Sequence, residues 1–361
     1  MQMEMPRASA EAEPGRFSIA RLPNEWYVAC RSSDLRDRPL GRMILGTPLV
    51  LFREKGGRAA ALLDRCAHRN LPLSEGRTVS GRVECAYHGW QYDGEGVCRA
   101  VPGLLDGGEA KSRTVPAFAV EERQGFVWVF AAQEAPPERS PFTFPHLGAR
   151  DYQSIHFEYE VEATLHATLE NMLDVPHTAF LHRGLFRGGR RNEITAMVRR
   201  YSDRVEAEYV GEPRPTGLLA RLLAPGSEGS TVVHFDRFVL PSISQVEYRL
   251  GESHLFACAA LTPVADFRTR FHAVISVRLP LPALLVRLVI APVAGRIFHQ
   301  DARILKQQTE AARRFGGERY TSTEVDILGP QIWKLLKEAE AGAARTADGE
   351  AKLEREVRFL A

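Results

Sequence analysis

Residues 64–96 read DRCAHRNLPLSEGRTVSGRVECAYHGWQYDGEG. Two short loops within this stretch each carry one thiol and one imidazole: Cys66 with His68, and Cys85 with His88. Two metals take such a set. A structural zinc with two Cys and two His usually pairs Cys with Cys and His with His along the chain. Here each loop supplies one of each. That is the set a 2Fe-2S cluster takes when two thiolates hold one iron and two imidazoles hold the other. Neutral imidazoles leave such a cluster less negative than four thiolates do and raise its potential. The remaining cysteines, Cys30, Cys98 and Cys258, have no such neighbours and read as small apolar residues.

DRCAHRNLPLSEG and CAYHGWQYDGEG resemble the two cluster-binding loops of Rieske proteins. This sequence departs from the usual pattern at Ala67 and Ala86, where Pro is common, and at Asn70, where Gly is common. All four ligand positions are kept.

Outward from these loops, TPLVLFRE (47–54), AAALLD (59–64), GRVEC (81–85) and GFVWVF (125–130) are β-rich runs broken by glycines, with Gly56-Gly57 a hairpin signal. Residues 135–148 hold four prolines and read as a linker. Beyond it HFEYEVEATL reads as a strand, Leu169 to Leu181 as a broken helix, and residues 195–278 as a series of strands. A helix is expected over 296–317, with Ile297, Ile304, Leu305 and Ala312 on one stripe, and a last helix from ILGPQIWKLLKEAEA. The second half is therefore an α+β domain built on an antiparallel sheet.

The chain has 361 residues, 47 Lys+Arg against 45 Asp+Glu, and five cysteines. That length fits two domains. The charge balance gives no reason to expect nucleic acid. The sparse, odd cysteines argue against a disulfide framework and fit a cytoplasmic protein. Met1 to Phe17 lacks the apolar core of a signal peptide. Leu279 to Phe298 is apolar but carries Arg287, Arg296 and three prolines. It is expected as a buried helical segment and not a membrane span.

The other chemical signal is ENMLDVPHTAFLH, residues 170–182, which places His177 and His182 five apart. On an ideal helix that spacing sets them about 140° apart, so the helix must bend or end between them, with Pro176 contributing. Alone the pair is weak. Beside the cluster loops, the sequence resembles the catalytic (α) subunits of Rieske non-haem iron oxygenases, which carry Asn-x-x-Asp-x-x-His-x4-His or a close variant. The resemblance covers nearly the whole chain. It implies an all-β Rieske domain followed by an antiparallel-sheet, helix-grip catalytic domain: a flexible tail over 1–20, the Rieske domain over 21–134, a linker over 135–150 and the catalytic domain over 151–361.

The resemblance further implies a 2Fe-2S cluster on Cys66, His68, Cys85 and His88. It implies a mononuclear Fe(II) on His177, His182 and one downstream carboxylate. Asp301, in the clearest late helix, is the candidate; Asp266, Glu310, Asp326 and Asp236 are rivals. His299 is expected beside the ligands rather than among them. Asn171 is a candidate neighbour of the site. Asp174, three residues before His177, is expected to orient its ring. In the family it bridges an iron-ligating His to a cluster His of a neighbouring subunit, by position His177 to His88 of the partner subunit, which implies a homotrimer. Electrons are expected from an NAD(P)H-dependent reductase, directly or through a ferredoxin. With O2 they would support hydroxylation or oxidative demethylation of a mainly apolar aromatic, polycyclic or steroid-like substrate. The alternatives are a cis-dihydroxylating dioxygenase and, from another class, a non-catalytic Rieske electron carrier. The arginine-rich run at 182–191 reads as a solvated loop, with docking of an acidic partner as the sharper alternative.

Overall fold

The computed structural model describes residues 16–105, 113–133, 136–182, 193–212, 232–280, 282–346 and 349–360. The chain divides into two compact units. One holds Leu22–Thr143 with Thr262–Ala265; the other holds residues 16–21, Phe144–Leu261 and Asp266 onward.

The first unit is all β. Its strands are β1 (Trp26–Arg31), β2 (Leu40–Ile44), β3 (Thr47–Arg53), β4 (Ala59–Leu63), β5 (Arg77–Val79), β6 (Arg82–Glu84), β7 (Gln91–Tyr92), β8 (Cys98–Ala100), β9 (Ala117–Phe118), β10 (Val120–Arg123) and β11 (Phe126–Phe130). They form three sheets, ordered β1-β11-β10, β2-β3-β4-β9 and β5-β6-β7-β8. Leu51, Phe52, Leu62 and Val127 anchor one core. The β3–β4 hairpin turns on Gly56 and Gly57, both at positive φ (101° and 89°), as a side chain there would resist. The hairpin β5–β6 with β7 and β8 carries the Cys85 loop; the Cys66 loop follows β4.

The second unit is an eight-stranded sheet with helices. The strands are β12 (Gln153–Val161), β13 (Glu193–Arg200), β14 (Arg204–Val210), β15 (Val233–Val239), β16 (Ile243–Leu250), β17 (Ser253–Ala265), β18 (Arg268–Arg278) and β19 (Leu353–Leu360). Their order is β12-β18-β17-β16-β15-β14-β13-β19. The C-terminal strand thus returns to pair with β13 at one edge. The helices are α1 (Leu165–Met172), α2 (Thr178–Leu181), α3 (Ala283–Arg314) and α4 (Gly329–Glu340). The Thr164 side chain caps α1 by accepting from Ala167 N–H (3.1 Å). α3 lays Val286, Ile290 and Ala294 on the sheet, against Ile275 and Val277 of β18 and Leu255 and Ala257 of β17. This is the all-β plus helix-on-sheet arrangement expected.

Several local expectations are corrected. α1 begins at Leu165, not 169, because Thr164 provides the cap. α3 begins at Ala283, not 296, and runs through Pro292. The expected segment 279–298 is helical from Ala283 but not buried all round. It buries one stripe and leaves Leu284, Leu285 and Leu288 exposed. Ile304 is likewise exposed, although Leu305 is buried. The tail is described from Arg16 and is fastened there. Ser18 donates from its N–H and hydroxyl to the Glu318 carboxylate (2.7 and 3.1 Å), and Arg21 grips Asp266 through two nitrogens. In the expected linker Phe144 is buried and His146 stacks on Tyr152. The arginine run lies, beyond His182, outside the described residues.

Candidate metal centres

The two thiol–imidazole loops fold alike. In the first, Asn70 N–H donates to Cys66 O and Cys66 N–H to Leu71 O (both 2.9 Å). In the second, Gly89 N–H donates to Cys85 O (3.0 Å) and Cys85 N–H to Trp90 O (2.9 Å). Both need a left-handed residue at the same place, and Asn70 (φ 63°) and Gly89 (φ 69°) supply it. Asn is the non-glycine residue best suited to that conformation. Its side-chain oxygen is also held, by Arg65 Nε at 2.8 Å. The departure from Gly at position 70 is therefore absorbed without changing the loop.

The sulfurs of Cys66 and Cys85 are buried and unbridged, while His88 lies exposed. The His68 and His88 rings stand 4.4 Å apart. Trp90 stacks on His68 (4.8 Å, 5° between planes), and Tyr92 OH lies 3.4 Å from Cys66 Sγ. Neither contact is foreseeable from the loops alone. Burial, with Cys66 beside it, pushes the Cys85 thiol up. His68 Nδ1 is buried with no hydrogen-bond partner among the described residues. Two adjacent buried thiols and an orphaned imidazole nitrogen are costly without a ligand, and a cluster would engage all three.

In the second unit, α1 ends at Leu173 and the chain turns through Pro176 before α2. His177 and His182 flank α2 as its two cap residues. The break at Pro176 precedes both; it is the end of α2 at Leu181, leaving His182 off helical geometry, that lies between them, and His177 Nε2 comes within 3.3 Å of His182 Nε2. Asp301, from α3, sets Oδ1 3.1 Å from His182 Nε2 and 3.8 Å from His177 Nε2. Ligands at right angles on metal bonds of about 2.1 Å stand about 3.0 Å apart. The separations of 3.1 and 3.3 Å are close to that spacing and the 3.8 Å one is wider; the three atoms make the two-His-one-carboxylate set.

The outer contacts fix what the inner atoms can do. His177 Nδ1 faces Asp174 Oδ2 (3.2 Å), which also accepts the His177 backbone N–H (3.2 Å). His182 Nδ1 faces Gln300 Oε1 (2.9 Å). Both Nδ1 atoms therefore carry the proton, leaving lone pairs on both Nε2 atoms. Asp301 Oδ1 is buried and has no hydrogen-bond partner among the described residues. Three lone-pair donors converging at this range repel one another unless a cation lies among them. Burial opposes charge on His182, but Asp301 and Gln300 outweigh it and raise its pKa, so proton and metal compete for Nε2.

The rival carboxylates have other employment or are solvated. Asp266 pairs with Arg21, Asp326 accepts from Thr323 N–H, Asp236 pairs with His234, and Glu310 is exposed. His299 is exposed too; its neighbour Gln300 makes the contact expected of it. Asp174 reaches His177 through the turn, not along a helix face. Asn171 Oδ1 is buried without a partner among the described residues.

Comparison with known proteins matches both parts of the chain to families. Residues 25–116 match the Rieske [2Fe-2S] domain, and residues 161–341, half the chain, match the vanillate O-demethylase oxygenase C-terminal domain. The oxygenase component of dicamba O-demethylase from Stenotrophomonas maltophilia is 37% identical over 163 residues, covering 44% of this chain and 47% of that protein. The vanillate O-demethylase oxygenase subunit of a Pseudomonas species is 33% identical over 190 residues, covering 52% and 51%. The matches thus span about half the length of these curated relatives. A crystal structure of dicamba monooxygenase bound to 3,6-dichlorosalicylic acid superposes with a TM-score of 0.75 at 24% identity, over 89% of this chain and 98% of that one, a likeness of fold. The chain belongs to the Rieske non-haem iron oxygenases, whose cofactors are a Rieske 2Fe-2S cluster and a mononuclear iron. Among the described residues no helix is long and apolar enough to cross a membrane.

Proposed function

We propose that this chain is a terminal oxygenase component. It takes two electrons from an NAD(P)H-dependent reductase, directly or through a ferredoxin. It hydroxylates or oxidatively demethylates a mainly apolar aromatic substrate with O2. The overall balance is substrate C–H plus O2, two electrons and two protons to C–OH plus water; on a methyl ether the product collapses to the free hydroxyl and formaldehyde. The observation that carries this reading is the convergence of His177 Nε2, His182 Nε2 and Asp301 Oδ1, with no hydrogen bond among the described residues to satisfy the carboxylate oxygen.

In this reading Cys66, Cys85, His68 and His88 hold the cluster, and His177, His182 and Asp301 hold the iron. The bound metals supply electron delivery and oxygen activation. The chain's own residues fix the geometry. Asp174 and Gln300 keep both ring protons on Nδ1, so that both Nε2 atoms stay ligands. Trp90 steadies the His68 ring, and the exposure of His88 offers a partner protein access. Asp174 also bridges to His88 of the partner subunit in a homotrimer, which functions in the cytoplasm.

Purified protein should contain about three irons and two acid-labile sulfides per chain. With a surrogate reductase, NADH and O2, a panel of aryl methyl ethers should release formaldehyde in step with NADH consumed. Zinc in place of iron, absence of labile sulfide, or turnover unaffected by removal of iron would overturn the reading.

A further inference from the structure

The first turns of α3 carry an apolar face that the described residues leave uncovered. Leu284, Leu285 and Leu288 are 68%, 48% and 62% exposed. At 100° per residue the three fall within about 100° of one another, on one side of the helix. Pro292, one turn on, is exposed on the same side. The opposite side is already spent. Val286, Ile290 and Ala294 lie on the sheet, and Asp301, seven residues after Ala294, continues that side to the iron ligands. A surface helix ordinarily turns charged and polar residues to solvent. Here its outer face begins with leucines, and a clustered apolar patch of this kind marks a contact surface.

Charge names the occupant. From Leu279 to Gln300 there is no Asp or Glu, and Arg287 and Arg296 are both exposed. Arg303, further along the outer face, is exposed too. Among the described residues none of these three makes an ion pair. Their neighbours in sequence do: Asp151 holds Arg278 (3.3 Å) and Glu162 holds Lys306 (2.5 Å). A second copy of the chain laid on this face would set arginine against arginine with no carboxylate between them. An anionic lipid surface meets both features at once. Leucines enter the boundary between headgroups and acyl chains, while the long arginine stems carry their charges back to the phosphates.

We propose that this face of α3 seats on an anionic bilayer surface, with Leu284, Leu285 and Leu288 in the apolar boundary and Arg287 and Arg296 on lipid phosphates. The contact is a docking and not a crossing, because the leucines occupy little more than one turn and a span needs about 20 apolar residues. The proposal does not depend on the oxygenase reading. Where both hold, the enzyme sits where apolar substrates concentrate.

The test sediments holoenzyme with vesicles of phosphatidylcholine and phosphatidylglycerol, two to one, and with vesicles of phosphatidylcholine alone. Wild type should bind the anionic vesicles at low salt and the neutral ones at least tenfold more weakly. Leu284→Gln with Leu288→Gln should weaken binding to anionic vesicles tenfold or more. Arg287→Gln with Arg296→Gln should weaken it roughly tenfold to thirtyfold and flatten its salt dependence. Glutamine suits an exposed helix position, so both double variants should keep wild-type cluster absorbance and thermal transition. Failure of wild type to bind anionic vesicles overturns the proposal. So does undiminished binding by the leucine variant, which would reduce the attraction to charge alone. Sedimentation equilibrium supplies the remaining outcome: a leucine variant that loses subunit association and keeps its vesicle binding would make this face a contact between copies of the chain, and the proposal would fall. Turnover by iron-loaded protein is measured separately; its absence counts against the oxygenase reading and leaves the vesicle result standing.

Discussion

Replacing Asp174 by Asn keeps shape and removes charge at the residue that holds His177. Asp174 Oδ2 takes both the backbone N–H and Nδ1 of His177, each at 3.2 Å. Hydrogen bonds to charged groups contribute about 1.5–3 kcal/mol and neutral ones about 0.5–1.5, so the exchange costs roughly 1–1.5 kcal/mol of His177 orientation. At about 1.4 kcal/mol per decade, Fe(II) affinity should fall five- to tenfold, near the lower end of effects known for groups behind metal-bound histidines. The Asp174 side chain is 30% exposed, so loss of global stability should stay under about 1 kcal/mol. With iron supplied in excess to refill the site, the proposed electron route can be isolated. The cluster should reduce normally, yet reoxidise more than tenfold slower when the pre-reduced protein meets substrate and O2. Stopped-flow absorbance of the cluster in a single turnover measures this. Wild-type reoxidation together with wild-type iron affinity would refute both the orienting role of Asp174 and the inter-subunit bridge.

Three further outcomes are expected. Asp301→Ala should lose mononuclear iron and turnover while the cluster spectrum survives, checked by metal analysis beside visible absorbance; full activity would remove Asp301 from the ligand set. Asn70→Gly should leave the cluster loop intact, whereas Asn70→Val, forced into φ 63°, should cost about 1–2 kcal/mol and labilise the cluster, read from thermal bleaching of its absorbance. Glu170, whose pKa is pushed up to about 7 by burial and then by Asp326, Asp174 and Glu318, is protonated in the fold and ionised in the unfolded chain between about pH 4.5 and 7. Its contribution is therefore favourable to folding at low pH and is lost as pH rises, by at most about 1.4 kcal/mol per pH unit across that window. Glu170→Gln should flatten the loss in denaturant titrations at pH 5 and pH 8; an unchanged pH slope would show that Glu170 is ionised in the fold.

The parts legible in the sequence are those set by short spacing. The Cys-x-His and Cys-x-x-His loops carry their chemistry within a few residues, and strand alternation such as that of β13 follows from one face being buried. The unsuitable helical spacing of His177 and His182 even required a helix to bend or end between them, and α2 ends at Leu181. What needed tertiary structure is whatever depends on distant segments meeting. Asp301 could be named only among rivals, because each carboxylate's partner lies far along the chain, as Arg21 does from Asp266. Gln300 escaped notice because its role exists only where α3 crosses α2. The exposure of Leu284, Leu285 and Leu288 was misread because an apolar run does not say which stripe finds a partner. His234 carried no signal at all; three strands had to align in register before Tyr209, Tyr248 and Asp236 surrounded it. Local sequence set the ligand chemistry through covalent proximity, and the sheet register and helix packing decided which distant groups complete each site.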